Sequence, residues 1–226
     1  MSTYRKQLPQ LSGGLFLTDG GIETTLIFQD GLELPYFAAF HLLNGVAGHD
    51  ALMRYYERYI AIAKADGVGF VLESPTWRAS SDWGDKIGYS REEIAAANHK
   101  SIRLMLDLRE KHETATTPMV ISGCVGPRGD GYDPGQVMSA EKAERYHAHQ
   151  VAALAEAGAD MVTAVTMTNA NEAVGVAQAA AKAAMPVAIS FTVETDGRLP
   201  TGQTLAAAIE EVDAAKRILS SLNLRN

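Results

Sequence analysis

Along the chain, short runs of aliphatic and β-branched residues alternate with longer stretches of helical period. The apolar runs are Leu15–Thr18, Val68–Leu72, Met119–Ser122, Met161–Thr166 and Val187–Val193. Near-continuous apolar runs of this length fit strands buried on both faces, as in a parallel sheet. Between them, apolar side chains recur three or four residues apart, the spacing of one helix face. Asp50 is placed to cap a helix carrying Met53, Tyr56, Ile60 and Ala63, with Gly67 as its stop. Ser90 and Glu93 form a Ser-x-x-Glu capping box ahead of Ile94, Ala97, Ile102 and Met105. Ser139 opens a third helix, with Ala143, His147, Val151 and Leu154 inward and Gly158 at its end. Ala173, Val176, Ala177 and Ala180 mark a fourth, stopped before Pro186, and Thr204 opens a fifth towards Leu222. Two segments rich in Gly, Pro, Asp and Trp, Thr76–Tyr89 and Gly126–Ser139, read as long connections.

Strand and helix therefore alternate five times, which predicts an α/β fold with a parallel sheet and right-handed crossovers. Two architectures satisfy this pattern. One is an open, doubly wound sheet of five strands. The other is an incomplete (βα)8 TIM-type barrel with about five βα units present. Periodicity alone fits both.

Composition narrows the function classes. The 226 residues are 46% hydrophobic and 21% charged, enough to build a sizeable core and unlike a disordered, collagen-like or coiled-coil chain. A net charge of −7 offers no basic surface for nucleic acid or an anionic membrane. The one cysteine excludes an internal disulfide and any zinc site built from several thiolates of this chain. Met1–Leu15 has no apolar core of a signal peptide, and no stretch approaches the ~18 apolar residues of a membrane span. One soluble, cytoplasmic domain over residues 1–226 is expected.

In parallel α/β folds, ligands gather at the carboxyl ends of the strands. The residues following each apolar run are polar and rich in Gly or acid: Asp19-Gly20-Gly21-Ile22-Glu23, then Glu73-Ser74-Pro75-Thr76-Trp77-Arg78, then Gly123 to Asp130, then Thr166, Thr168 and Asn169, then Glu194, Thr195 and Asp196. The amides of Asp19-Gly20-Gly21 offer a seat for a carboxylate, though the same residues also make an ordinary turn. Glu73, Glu194 and Glu23 can take an amino group or pair with Arg78 or Arg128. Trp77 and Trp83 can wall a small ligand or cover a helix end. Cys124 at a strand end fits an inert buried thiol better than a nucleophile. The six histidines are scattered, with His147 and His149 on different sides of a helix. No dinucleotide fingerprint, Walker loop or serine-hydrolase elbow occurs.

Four of these segments, in this order, resemble motifs of the homocysteine S-methyltransferase family. They are Leu17-Thr-Asp-Gly-Gly-Ile-Glu-Thr-Thr-Leu26, Phe70-Val-Leu-Glu-Ser-Pro-Thr-Trp-Arg-Ala-Ser80, Ser122-Gly-Cys-Val-Gly-Pro-Arg-Gly-Asp130 and Ser190-Phe-Thr-Val-Glu194. The resemblance covers residues from about 15 to 213. It implies a (βα)8 barrel that transfers a methyl group from a small-molecule donor to the thiol of homocysteine, giving methionine, with zinc holding the sulfur as thiolate. It also implies that Asp19, Gly20 and Gly21 hold the amino-acid carboxylate, and that Ser74 and Trp77 line the homocysteine chain.

Two departures qualify the resemblance. Val165 stands where the family has an acid for the substrate amino group, leaving Glu194, Glu73 or Glu23 to substitute. The family's zinc-binding motifs, an Asn-Cys and a Gly-Gly-Cys-Cys, do not occur in these residues, and Cys124 does not match a ligand position. The expectation is thus a methyltransferase-like barrel without its last three βα units and without zinc ligands of its own. Its unpaired strand edges invite self-association. The alternatives are a non-catalytic amino-acid-binding module or inactive fragment that has lost the metal site, and an unrelated five-stranded α/β protein.

Overall fold

The structure, a computed structural model, describes residues 2–223, with side-chain surroundings described as far as Ala215. Five strands, β1 (Phe16–Thr18), β2 (Gly69–Glu73), β3 (Met119–Val125), β4 (Met161–Met167) and β5 (Val187–Phe191), form one parallel sheet in the order β1-β2-β3-β4-β5. This order separates the two architectures. A doubly wound sheet must reverse direction at a switch point, whereas here each strand is added beside the one before it. With right-handed crossovers throughout, every helix then falls on the same side of the sheet, as in a barrel wall. The sheet is a curled half-barrel with β1 and β5 at its edges.

The helices are α1 (Ile22–Thr24), α2 (Val46–Asp66), α3 (Ser81–Ile87), α4 (Arg91–His112), α5 (Ala140–Ala157), α6 (Ala170–Lys182) and α7 (Leu205–Asn223). Their local signals are mostly those of the sequence. Ser90 Oγ accepts from the Glu93 amide at 3.2 Å while Glu93 Oε2 accepts from the Ser90 amide at 2.7 Å, completing the capping box of α4. Ser139 caps α5, and Thr204 Oγ1 accepts from the Ala207 amide at the start of α7. Gly67 and Gly158 end α2 and α5 in the left-handed conformation.

Several boundaries differ from expectation, β3 among them, which runs on from Ser122 to Val125 and so takes in Cys124. α2 begins at Val46 after an extended Gly45, so Asp50 lies inside it and does not cap it. α6 begins at Ala170, because the Asn169 side chain accepts from the Glu172 amide at 2.9 Å. α3 occupies a segment read as loop. Its Gly84 lowers helical propensity, but a Cβ there would lie 2.5 Å from Ile94 Cγ1, so glycine is what lets α3 press against α4. β5 ends at Phe191, two residues before its apolar run does.

The sheet face towards the helices is apolar. Phe70, Leu72, Ile121, Val162 and Ala164 pack with Tyr56, Ile102 and Leu154 in the main core. The concave face carries Glu73, Ser122, Cys124 and Thr163, and the Ser122 and Thr163 hydroxyls bond at 2.7 Å. At the amino end of that face, the leading segment lays Leu8, with Tyr4, against Val120 and Met161. The amides of Thr3 and Tyr4 each donate to Asp160 Oδ1 at 2.8 Å, and Arg5 reaches the carbonyls of Ala155 and Ala159. Asp160 Oδ2 also accepts from Arg109 at 2.7 Å and from the Ile121 amide at 3.0 Å. No helix among the described residues is long and apolar enough to cross a membrane.

Candidate functional site

The carboxyl ends of β1, β2 and β3 bring together Asp19, Glu23, Glu73 and Cys124. Asp19 follows β1 directly. Its Oδ2 accepts from the Tyr55 hydroxyl of α2 at 2.8 Å, and the same hydroxyl lies 2.9 Å from the Gly20 carbonyl. Tyr55 thereby fixes the Asp19-Gly20 turn from beneath. A Cβ on Gly20 would come within 2.7 Å of the Tyr59 hydroxyl, so a larger residue there would push that side chain aside. Glu23 is carried by the one-turn helix α1, which widens into a π turn at Thr25–Gln29.

Burial dominates the electrostatics. It pushes the Asp19 carboxyl up to about 6 against the stabilising Tyr55 hydrogen bond. It pushes Glu23 up to about 7, with Asp19 adding repulsion and Arg78 opposing it. Glu73 rises to about 7 for the same reason, against the stabilising hydroxyls of Thr163 and Ser122 and with a further push from Asp19. Glu73 Oε2 has no hydrogen-bond partner among the described residues. The Cys124 thiol is raised well above its ordinary value by burial and then by Glu73, Glu23 and Asp19, so it is held as the neutral thiol. The site is thus acidic, and among the described residues no ion pair reaches any of its three carboxyl groups.

Arg78 comes nearest to supplying one; its Nε has no hydrogen-bond partner among the described residues, but its two terminal nitrogens are committed elsewhere. It donates to the Tyr36 carbonyl at 3.0 Å and to Asp130 Oδ2 at 3.3 Å, and lies 3.7 Å from the Trp83 ring centroid and 4.5 Å from that of Trp77. Trp83 is buried over this cation, so it serves packing. Trp77 remains half-buried and donates to Thr166 Oγ1 at 3.0 Å. Thr166 holds a φ of +57° where the β4–β5 register shifts, a strained position for a β-branched residue at a strand end.

The other expected residues divide. Ser74 lies at the site, but its hydroxyl is buried, bonded to Thr76 Oγ1 at 2.7 Å and accepting from the Cys124 amide at 3.0 Å. Gly21 precedes α1 with an extended backbone. Glu194 lies beyond β5 in an exposed turn closed by the Gly197 amide, and no hydrogen bond or ion pair joins it to the three carboxyl groups. Val165 is half-buried on β4 beside Thr166. Tyr55 had no motif to mark it. The Tyr55-Tyr56-x-x-Tyr59 grouping on one helix was its only sequence signal.

Among the described residues, no three His, Cys, Asp or Glu side chains are grouped so as to hold a metal ion. That donor set does not fit the zinc that the family resemblance implies.

A half-barrel with polar chemistry at its strand ends belongs to the TIM-barrel-like class. Among solved structures of that class, the homocysteine methyltransferase MmuM from Escherichia coli, in its metallated form, superposes with a TM-score of 0.73 at 20% identity, over 92% of this chain and 74% of that one. Its apo form superposes at 0.64. The family model for homocysteine S-methyltransferase matches residues 16–224, and the chain belongs to that family. A selenocysteine Se-methyltransferase of Brassica oleracea var. italica is 25% identical over 239 aligned residues, which take in 95% of this chain and 66% of that relative.

Proposed function

We propose that this chain binds the amino-acid acceptor of a thiol or selenol methyl transfer, homocysteine or selenocysteine, at the carboxyl ends of β1–β3. The observation that carries this reading is the trio Asp19, Glu23 and Glu73, three half-buried carboxyl groups kept from ionising freely by desolvation and, at Glu23 and Glu73, by repulsion from Asp19. An incoming ammonium relieves that repulsion. The backbone of Gly20-Gly21 is placed to receive the substrate carboxylate, and Trp77 walls the side chain. The assignment replaces the acid absent at Val165 with acids from the first two strands.

Methyl transfer breaks a carbon–sulfur or carbon–nitrogen bond in the donor and forms one to the acceptor sulfur or selenium. The acceptor proton must leave, and a thiol of pKa about 8.5 is mostly protonated at neutral pH. A carboxyl group titrating at about 7, as Glu73 does, is matched to accept that proton. No step is assigned to zinc. The donor set favours a second reading, binding without transfer by these residues alone. The open edges of β1 and β5 also suit association with further strands.

Calorimetric titration with L-homocysteine tests the acceptor site. Binding is expected, with about a tenfold or greater loss for Asp19→Asn and for the analogue lacking the amino group, as for a removed charge–charge contact. Equal affinity for that analogue would overturn the assignment. Transfer of a labelled methyl group by the same preparation separates the two readings.

A further inference from the structure

A cavity whose lining is distinct from that site lies between α4 and α5 where the start of α3 meets them, with a volume of about 610 Å³. Small-molecule sites span about 300–1,000 Å³. Its floor is buried: Ile94, Met138 and Ala153 are apolar, and Asn98 and Gln150 are only 0% and 4% exposed. The two amides are fixed by backbone. Asn98 Nδ2 donates to the carbonyls of Ala79 and Ile94, and Gln150 Nε2 donates to the Thr76 carbonyl at 2.8 Å. Gln150 Oε1 has no donor among the described residues. Tyr146, half-buried, forms one wall.

The rim has the opposite character. Arg91, Arg128, Lys142 and Arg145 line it against one carboxylate, Glu156. Arg128 is paired with Asp82 at 2.7 Å. The ion pairs of the described residues include none of Arg91, Lys142 or Arg145. Such a concentration of cations in a chain of net charge −7 marks a place where negative charge is received. An apolar floor with buried amides beneath a cationic rim selects a ligand with two unlike ends.

We propose that this groove is a second ligand site, which takes an organic anion of nucleotide size. A heteroaromatic ring bearing N–H donors lies over the floor beside Tyr146, and a phosphate lies on Lys142 and Arg145. The groove also has a path to the strand ends. Gln150 holds the Thr76 carbonyl, and the Thr76 hydroxyl donates to the Cys124 carbonyl at 2.6 Å and bonds Ser74.

The test is calorimetric titration of the full chain with adenosine 5′-monophosphate, with adenosine and inorganic phosphate as separate arms. The monophosphate is expected to bind, and each fragment alone to bind at least about tenfold more weakly, since either lacks one end of the recognition. Lys142→Ala with Arg145→Ala is expected to cost about tenfold, and Ala95→Trp, which fills the groove without changing its charge, a similar amount. Unchanged melting temperature and homocysteine titration in these variants show that the fold and the strand-end site are intact. Three results would overturn the proposal: no heat at about 5 mM monophosphate, phosphate alone binding as tightly, or full affinity in the double charge variant. None of them bears on the acceptor site, whose residues are not in this groove.

Discussion

The two ends of the sheet each draw carboxyl groups away from water, wholly for Asp160 and by half for Asp19 and Glu73, and they treat them in opposite ways. At the amino end, Asp160 receives four donors: the amides of Thr3, Tyr4 and Ile121 and the guanidinium of Arg109. Glu113 nearby accepts from the Tyr4 hydroxyl and the Met119 amide at 2.8 Å each. At the carboxyl end, Asp19 has a tyrosine hydroxyl, and Glu73 has an oxygen with no partner. Fully partnered buried acids tie a structure together. Under-partnered ones leave affinity in reserve for a ligand that brings the missing charge, at a cost to the stability of the empty protein.

The largest expected effect lies at the partnered end. Asp160→Ala leaves Arg109 buried without its counter-ion and should lower unfolding free energy by about 3–5 kcal/mol, measured by urea denaturation. A loss under about 1 kcal/mol would mean that the two ends do not differ.

Glu73→Gln should do the reverse. The folded-state value of Glu73, about 7, exceeds its ordinary 4.5, so the folded protein binds the proton more tightly than the unfolded chain. The native state is therefore free of this penalty below about pH 4.5, loses stability as pH rises towards 7, and stays penalised above that. The variant should flatten this decline and gain on the order of 1–3 kcal/mol at pH 8, read from thermal unfolding across pH. Homocysteine affinity should run the opposite way, rising over the interval in which the empty wild-type protein weakens.

Tyr55→Phe sharpens the contrast on a smaller scale. Removing the hydroxyl should cost about 1 kcal/mol and move the Asp19 titration above its value of about 6, followed by NMR of the carboxyl carbon. Ser90→Ala, remote from both ends, should cost about 0.5–1 kcal/mol through the lost cap of α4 and leave the pH profile unchanged.

What could be read from the chain was what depends on near neighbours. The Ser90–Glu93 box, the Ser139 cap and the glycine stops act within one turn, and all are present. The start of α2 and the existence of α3 depend on packing, on an extended Gly45 and on a Gly84 chosen for Ile94, and a polar, glycine-bearing segment reads as loop. The site divides in the same way. Asp19, Glu23 and Glu73 could be picked out because they follow apolar runs. Their coupling could not, and neither could Tyr55, which arrives from a helix 36 residues further on. Glu194 was placed at a strand end that stops sooner, where Thr192 turns its hydroxyl to the Gly131 carbonyl.

The leading segment has a consequence in time. Thr3 and Tyr4 are synthesised well before the carboxylate they bind, which belongs to Asp160, 157 and 156 residues later. At synthesis rates of about 5–20 residues per second, that is a wait of roughly ten to thirty seconds. Until then Leu8 also lacks Met161, against which it will pack. The segment is thus a clasp that shuts late, only after the fourth βα unit has begun.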